Sequence, residues 1–297
     1  MENKALNRVD VGRAAQAACL LEVISPKPGN VNRSFDFSDT TLADFMMSAV
    51  MIGRCMEEAQ LNPVGETVKR AVQDTRRMVP RNTNLGIILL FTPLAKAYGE
   101  GELRQSVQRV LESLTIEDAQ EVYGAIRMAS PGGLGKAPTY DVTDNVDITL
   151  LESMSLARER DAIAREYVTD FAITFELGWP SLESFLKEGY DFSAAVVQTY
   201  LTILAEVPDT LIARKKDMQE ALDISRRAAE VLRAGGISSA GGREEIQKLD
   251  AYLRLDGNTL NPGTTADLTA AAIFVFLLQN DLDAWHKARM TYIRRGG

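Results

Sequence analysis

From Val9 to Leu278 apolar residues recur at three- and four-residue steps, and nowhere does the chain sustain the apolar–polar alternation of a half-buried strand. In Leu42, Phe45, Met46, Ala49, Gly53 and Met56 the apolar or small positions line one face of an amphipathic helix. The same periodicity predicts helices over residues 9–23, 64–79, 85–98, 103–114, 119–129, 148–175, 193–206, 218–234 and 246–255. Gly and Pro punctuate between them, at 26–29, 63, 80, 131–135, 178–180, 208, 235–242 and 262–263. Three starts place a Thr three residues before an acid, in the manner of a capping box: Thr41 and Asp44, Thr115 and Asp118, Thr264 and Asp267. Residues 266–278 are apolar nearly all round, which predicts a buried central helix near the carboxyl terminus. No linker, repeat or low-complexity tract interrupts the pattern, and the glycine-rich stretch 235–242 is its weakest point. The expectation is an all-α, single-domain multi-helix bundle spanning residues 1–297.

Charge and residue counts exclude several kinds of function. With 33 Lys plus Arg against 41 Asp plus Glu, the formal charge is −8, a poor match for a nucleic-acid or anionic-membrane surface. A polyphosphate ligand would need locally gathered cations or a bridging divalent metal. The one histidine, His286, is expected on the surface of a last helix, so Ser-His-Asp, Cys-His and histidine-rich metal chemistry are not expected. Acid–base work then falls to carboxylates, Lys or Tyr. Cys19 and Cys55 sit among apolar residues and read as small core side chains rather than a disulfide or metal pair. The polar residues 1–10 lack a signal peptide's apolar stretch, and the run 268–278 is shorter than a membrane span, so a cytoplasmic setting is expected.

Four interruptions are richer in polar, Gly and Pro residues than helix turns require. In residues 25–33, SPKPGNVNR, two prolines restrict the backbone around Lys27, followed by Asp36, Asp39 and Asp44. That segment reads either as an ammonium held in place for a ligand or as a rigid inter-helix loop with solvated charges. In residues 81–86, RNTNLG, Asn82 and Asn84 accompany a helix start, which suits an anion or nucleotide, although ordinary capping explains part of the run. In residues 130–136, SPGGLGK, a glycine-rich turn lacks Walker spacing but can bring backbone amides to phosphate, with Lys136 adding charge. Asp141, Asp144 and Asp147 follow it and could hold Mg²⁺. In residues 261–267, NPGTTAD, Asp267 either completes a cap or places a carboxylate at the entrance of the most apolar helix.

Taken in order, SPKPGNV (25–31), NTNLGIILLFTPLA (82–95), AIRMASPGGLG (125–135), ARERDAIAREY (157–167), PDTLIARK (208–215) and NPGTTADL (261–268) resemble the motifs of the triphosphoribosyl-dephospho-CoA synthase family. The resemblance implies an all-helical fold and use of ATP with Mg²⁺. It implies that adenine is displaced from the ribose and that the triphosphoribosyl group passes to the 2′-hydroxyl of dephospho-CoA. One departure stands out. The family pattern carries Gly-Ala-His and then an Asp after the first motif, where this chain has Ser34-Phe35-Asp36-Phe37-Ser38-Asp39. Another alcohol acceptor, or a nucleotide-binding protein without catalysis, are the alternatives.

Cleavage of a ribose–adenine bond passes through an oxocarbenium-like state, at which carboxylates usually serve as base, acid or charge stabiliser. On this reading Asp39 or Asp267 is the base, and Asp36 and Asp141 contact Mg²⁺. Lys27, Lys136 and Lys215 face the triphosphate. Gly29, Asn30, Asn82, Asn84, Gly132, Gly133, Gly135 and Arg160 contact ATP, with Arg160 and Asp161 side by side within one long helix.

Overall fold

Side-chain caps mark where many helices of this chain begin, and one of them, Asp161, breaks a segment that periodicity alone reads as continuous. A computed structural model describes residues 8–132 and 141–280. Among them there are α-helices, short 3-10 and π turns, no strand, and an isolated bridge between Asn32 and Phe35. The chain divides into two compact units: Met1–Cys19 with Ala43–Ala172, and Leu20–Leu42 with Ile173–Gly297. The division falls inside the first helix, α1 (Arg8–Ile24).

The first unit holds most of α2 (Leu42–Glu57), then α3 (Val64–Met78), α4 (Leu85–Ala97), α5 (Leu103–Glu112), α6 (Ile116–Ala129), α7 (Leu150–Ala157) and α8 (Ala162–Val168). Helix α4 packs against α3, α5 and α8, with Ile88, Leu90, Phe91 and Leu94 fully buried. It carries Pro93 in its interior, which removes the N–H that would bond the Leu89 carbonyl. The buried Tyr167 hydroxyl of α8 donates to that carbonyl at 2.7 Å and so satisfies it.

Thr115 and Asp118 form the expected reciprocal box at the start of α6. A second box, Thr149 with Glu152, opens α7, and Asp161 opens α8 by accepting from the Ile163 and Ala164 amides. The single helix expected over 148–175 is therefore several pieces. After α8, Asp170 and Phe171 adopt positive φ (52° and 58°), which ends any helical continuation. Arg160 lies in the turn between α7 and α8 rather than within a long helix.

The second unit contains a π-helical turn (Ile173–Gly178), α9 (Trp179–Lys187), α10 (Phe192–Glu206), α11 (Thr210–Lys215), α12 (Met218–Arg233), α13 (Ala240–Leu253) and α14 (Gly263–Gln279). The buried central helix is α14. Residues Ala270–Val275 have no exposed surface, and it packs against the π turn, α9, α10 and α11. A second part of this core joins Val197, Tyr200, Leu201 and Leu204 of α10 to Ile224, Ala228 and Val231 of α12 and to Leu249 and Leu253 of α13. The glycine-rich stretch is ordered into a 3-10 turn (Gly236–Ser238) and the start of α13, where Ser239 accepts from the Gly242 amide. The Thr264–Asp267 box does not form as expected: α14 starts at Gly263 without a local side-chain cap. The Asp209 carboxylate takes its place, accepting from the Thr265 amide at 2.7 Å.

No described helix is long and apolar enough to cross a membrane. Cys19 and Cys55 are buried free thiols, and burial, with Asp74 alongside, pushes the Cys55 thiol up to about 12. His286, Gly133, Gly135 and Lys136 lie outside the described residues.

Candidate functional site

The loop that follows α1 is braced by side chains made more than 160 residues later. Asp250 of α13 accepts from the Gly29 amide at 2.7 Å, and the Tyr200 hydroxyl donates to the Pro28 carbonyl at 2.8 Å. Asn30 donates its side-chain amide to Tyr200 Oη at 2.9 Å, while Arg254 donates to the Asn30 carbonyl at 2.8 Å and pairs with Asp250. The Arg254 guanidinium also stacks over Phe35, 4.4 Å from the ring centroid. Gly29 and Asn30 are thus structural anchors: the Gly29 amide, the Asn30 side-chain amide donor and the Asn30 carbonyl are engaged within the protein.

Lys27, expected to face the triphosphate, is turned inward instead. It has no exposed surface, its ammonium lies 2.9 Å from the Glu22 carboxylate, and it also donates to the Glu22 and Ser25 carbonyls. All three ammonium donors then have partners, which suits a loop brace and not contact with an external phosphate.

Gly29 sits at φ +77°, where a Cβ would lie 2.7 Å from Leu253 Cδ1. Gly29→Ala is expected to lower unfolding stability by about 2–4 kcal/mol, adding left-handed strain to overpacking. A urea melt checks it, with an unchanged midpoint the contrary result.

A second, more open group of polar residues lies in the same unit. Lys215, the last residue of α11, is half-buried and donates to the Asn258 carbonyl at 3.0 Å and to Asn261 Oδ1 at 2.8 Å. Asn258 in turn donates to Asp39 Oδ1 at 3.3 Å, and the Thr40 hydroxyl reaches the same oxygen at 3.2 Å. Burial lowers the Lys215 pKa from its ordinary value, opposed by the charges of Asp209 and Asp39. Asp39 is exposed. Asp267 is half-buried in α14, four residues after Gly263 and so on the same side of the helix. Lys215, Asp39 and Asp267 are candidates from the sequence. Asn258 carries no motif signal in the sequence, and the i, i+4 pair Asp250–Arg254 looks there like any surface ion pair.

In the first unit, Asn84 is buried and directed inward, donating to the Ser48 carbonyl at 3.4 Å and to Thr75 Oγ1 at 3.3 Å. Its amide therefore supports the entry to α4 and is not presented to a nucleotide. Asn82 is exposed and accepts from the Leu85 amide at 3.1 Å, so it caps α4 from outside. Gly132 and Arg160 are both exposed.

Asp141 Oδ1 accepts from the Thr143 amide and hydroxyl, at 3.1 and 2.8 Å. Asp36 is exposed, with Oδ1 accepting from the Leu42 amide at 2.6 Å. Among the described residues no three His, Cys, Asp or Glu side chains cluster as a metal cage. Mg²⁺ carried by a nucleotide does not require one, since it takes one or two carboxylates and fills its shell with water and phosphate.

A family model described as CitG, ATP:dephospho-CoA triphosphoribosyl transferase, matches residues 8–286. A 2-(5''-triphosphoribosyl)-3'-dephosphocoenzyme-A synthase from Klebsiella pneumoniae is 25% identical over 304 residues, 92% of each chain. One from Escherichia fergusonii is 24% identical over 295 residues, 89% of each chain. A crystal structure from Archaeoglobus fulgidus, solved as a candidate triphosphoribosyl-dephospho-CoA synthase, superposes with a TM-score of 0.61 at 28% identity. It covers 78% of this chain and 98% of its own.

Proposed function

Because this chain belongs to the ATP:dephospho-CoA triphosphoribosyl transferase family, we propose that the open polar group of its second unit, Asp39, Asn258, Lys215 and Asn261, serves that transfer together with Asp267 of α14. The family reaction makes the chain an ATP-dependent transferase that moves triphosphoribose from ATP to dephospho-CoA. The observation that carries the site assignment is the linked run from the Lys215 ammonium through Asn258 to the exposed Asp39 carboxylate. It sets a cation and a carboxylate side by side without pairing them directly. Such an arrangement leaves the cation for phosphate and the carboxylate for a proton.

In the reaction, the bond between ribose C1′ and adenine N9 breaks as the acceptor 2′-hydroxyl oxygen bonds to C1′. The hydroxyl proton goes to a carboxylate, Asp39 or Asp267, and adenine leaves with a proton. Two of the three Lys215 donors are used among the described residues, and the third is available to a phosphate oxygen. Asp36 is an exposed carboxylate with one oxygen outside the bonds described, and it fits Mg²⁺ brought in by ATP. Bound there, the ion would offset triphosphate charge. A cytoplasmic setting accords with ATP as the donor and with two free thiols.

The test is incubation of the chain with ATP, Mg²⁺ and dephospho-CoA, followed by mass analysis. Adenine and a triphosphoribosyl adduct of dephospho-CoA are expected in equal amounts. Absence of adenine, or adenine without the adduct, would overturn the proposal.

A further inference from the structure

One buried carboxylate ties together the two helix starts that carry the proposed site, and the sequence reading gave it no role. Asp209 precedes α11 and is 1% exposed. Its Oδ1 accepts from the Leu211 amide at 2.9 Å and the Ile212 amide at 3.1 Å, capping α11. Its Oδ2 accepts from the Thr265 amide at 2.7 Å and the Thr265 hydroxyl at 2.8 Å, in the first turn of α14. Beside it, the Thr210 hydroxyl donates to Thr264 Oγ1 at 3.2 Å, and both threonines are buried. Adjacent residues on one strand of chain thus clasp adjacent residues on the other.

Helix α11 has only six residues, so a shift at its cap is passed undamped to Lys215 at its far end. The residue Lys215 bonds, Asn261, stands two positions before α14. Both members of the Lys215–Asn261 contact are therefore placed by the same carboxylate. We propose that Asp209 is the positioning residue of the transferase site, setting the register of α11 against the start of α14 so that Lys215 meets the triphosphate. This rests on the assignment of Lys215 made above. An ionised carboxylate is suited to the task because all four groups facing it are donors, a match no amide can make. Burial raises the Asp209 pKa, while the hydrogen bonds from Thr265 oppose that rise and favour the charged form.

Asp209→Asn turns an NH2 toward donors on one side and should loosen the clasp. In steady-state adenine release, D209N is expected to reduce kcat/KM for ATP by about 10²-fold, the scale of a small misplacement of a binding group. Lys215→Met tests the assignment itself. The double variant D209N/K215M is expected to be no worse than the weaker single variant by more than about threefold, because both lose the same contact.

Where D209N does not yield folded protein, Thr265→Val removes one of the four bonds and Thr265→Ser keeps it. The Val variant is then expected to raise KM for ATP and to couple to K215M, while the Ser variant behaves as wild type. Multiplicative losses in the double variants would show Asp209 and Thr265 to be structural only and overturn the inference. K215M with unchanged kinetics would overturn the assignment of Lys215 first, which is a distinct result.

Discussion

Asp39→Asn is expected to slow adenine release from ATP by about 10²–10⁴-fold, the loss that follows removal of a well-placed acid or base. Asp39 is exposed, and only one of its oxygens is engaged among the described residues. Oδ1 of Asp39 accepts from Asn258 and Thr40, and Oδ2 lies outside those bonds. The Asn variant keeps the shape but cannot take a proton, so ATP binding, read as a thermal shift, should persist while turnover falls. Asp267→Asn is the necessary companion, since Asp267, in the second turn of α14, is the other carboxylate proposed as base. The group that removes the proton shows the full loss; the other shows less. Unchanged adenine release in both variants would mean that neither carboxylate takes part.

The largest effect on stability is expected at Lys27. Lys27→Met preserves the apolar stem but leaves the Glu22 carboxylate, 4% exposed, without its partner. Stranding a buried charge in this way costs about 3–5 kcal/mol. The cost depends on pH. In the folded protein burial raises the Glu22 pKa, and Lys27 partly restores it. A carboxyl with a raised folded pKa favours the fold below its unfolded pKa, and that contribution is lost as pH rises through the folded value. Without Lys27 the folded pKa climbs further. The deficit of K27M should therefore be smallest in mildly acidic buffer and grow toward alkaline pH. Adding Glu22→Gln should recover much of it. Urea melts across pH measure both, and a pH-independent deficit would show that lost packing, not the stranded carboxylate, sets the cost.

Helix periodicity was legible over α2, α3, α4, α6, α10, α12 and α14, because each buries a broad apolar face. The breaks were harder. Residues 148–175 keep an apolar rhythm across the turn at Arg158–Arg160, and the boundaries come from Thr149, Asp161 and the left-handed Asp170 and Phe171. The Thr149–Glu152 spacing was a signal in plain view; the positive φ values had none. Short α11 hides behind Pro208 for the same reason, since a six-residue helix shows no periodicity.

In the site, composition identified candidate residues but not their direction. Lys27, Gly29, Asn30 and Asn84 occupy motif positions, yet their polar groups are engaged inside the protein. A linear motif records that a side chain matters without recording whether it touches ligand or holds what does. Asp209 lies inside one of those motifs, and only its four hydrogen bonds reveal its task.

The bracing of the 25–32 loop by α10 and α13 also fixes an order of events at the ribosome. Gly29 and its acceptor Asp250 are 221 residues apart, and Asn30 and Arg254 are 224. At typical translation speeds of about 5–20 residues per second, the loop emerges about 10–45 s before its braces exist. During that interval Glu22 and Lys27 have only each other, nearby backbone carbonyls and water. Nascent chains halted before α13 should hold this loop open to protease, and release of the whole polypeptide should close it.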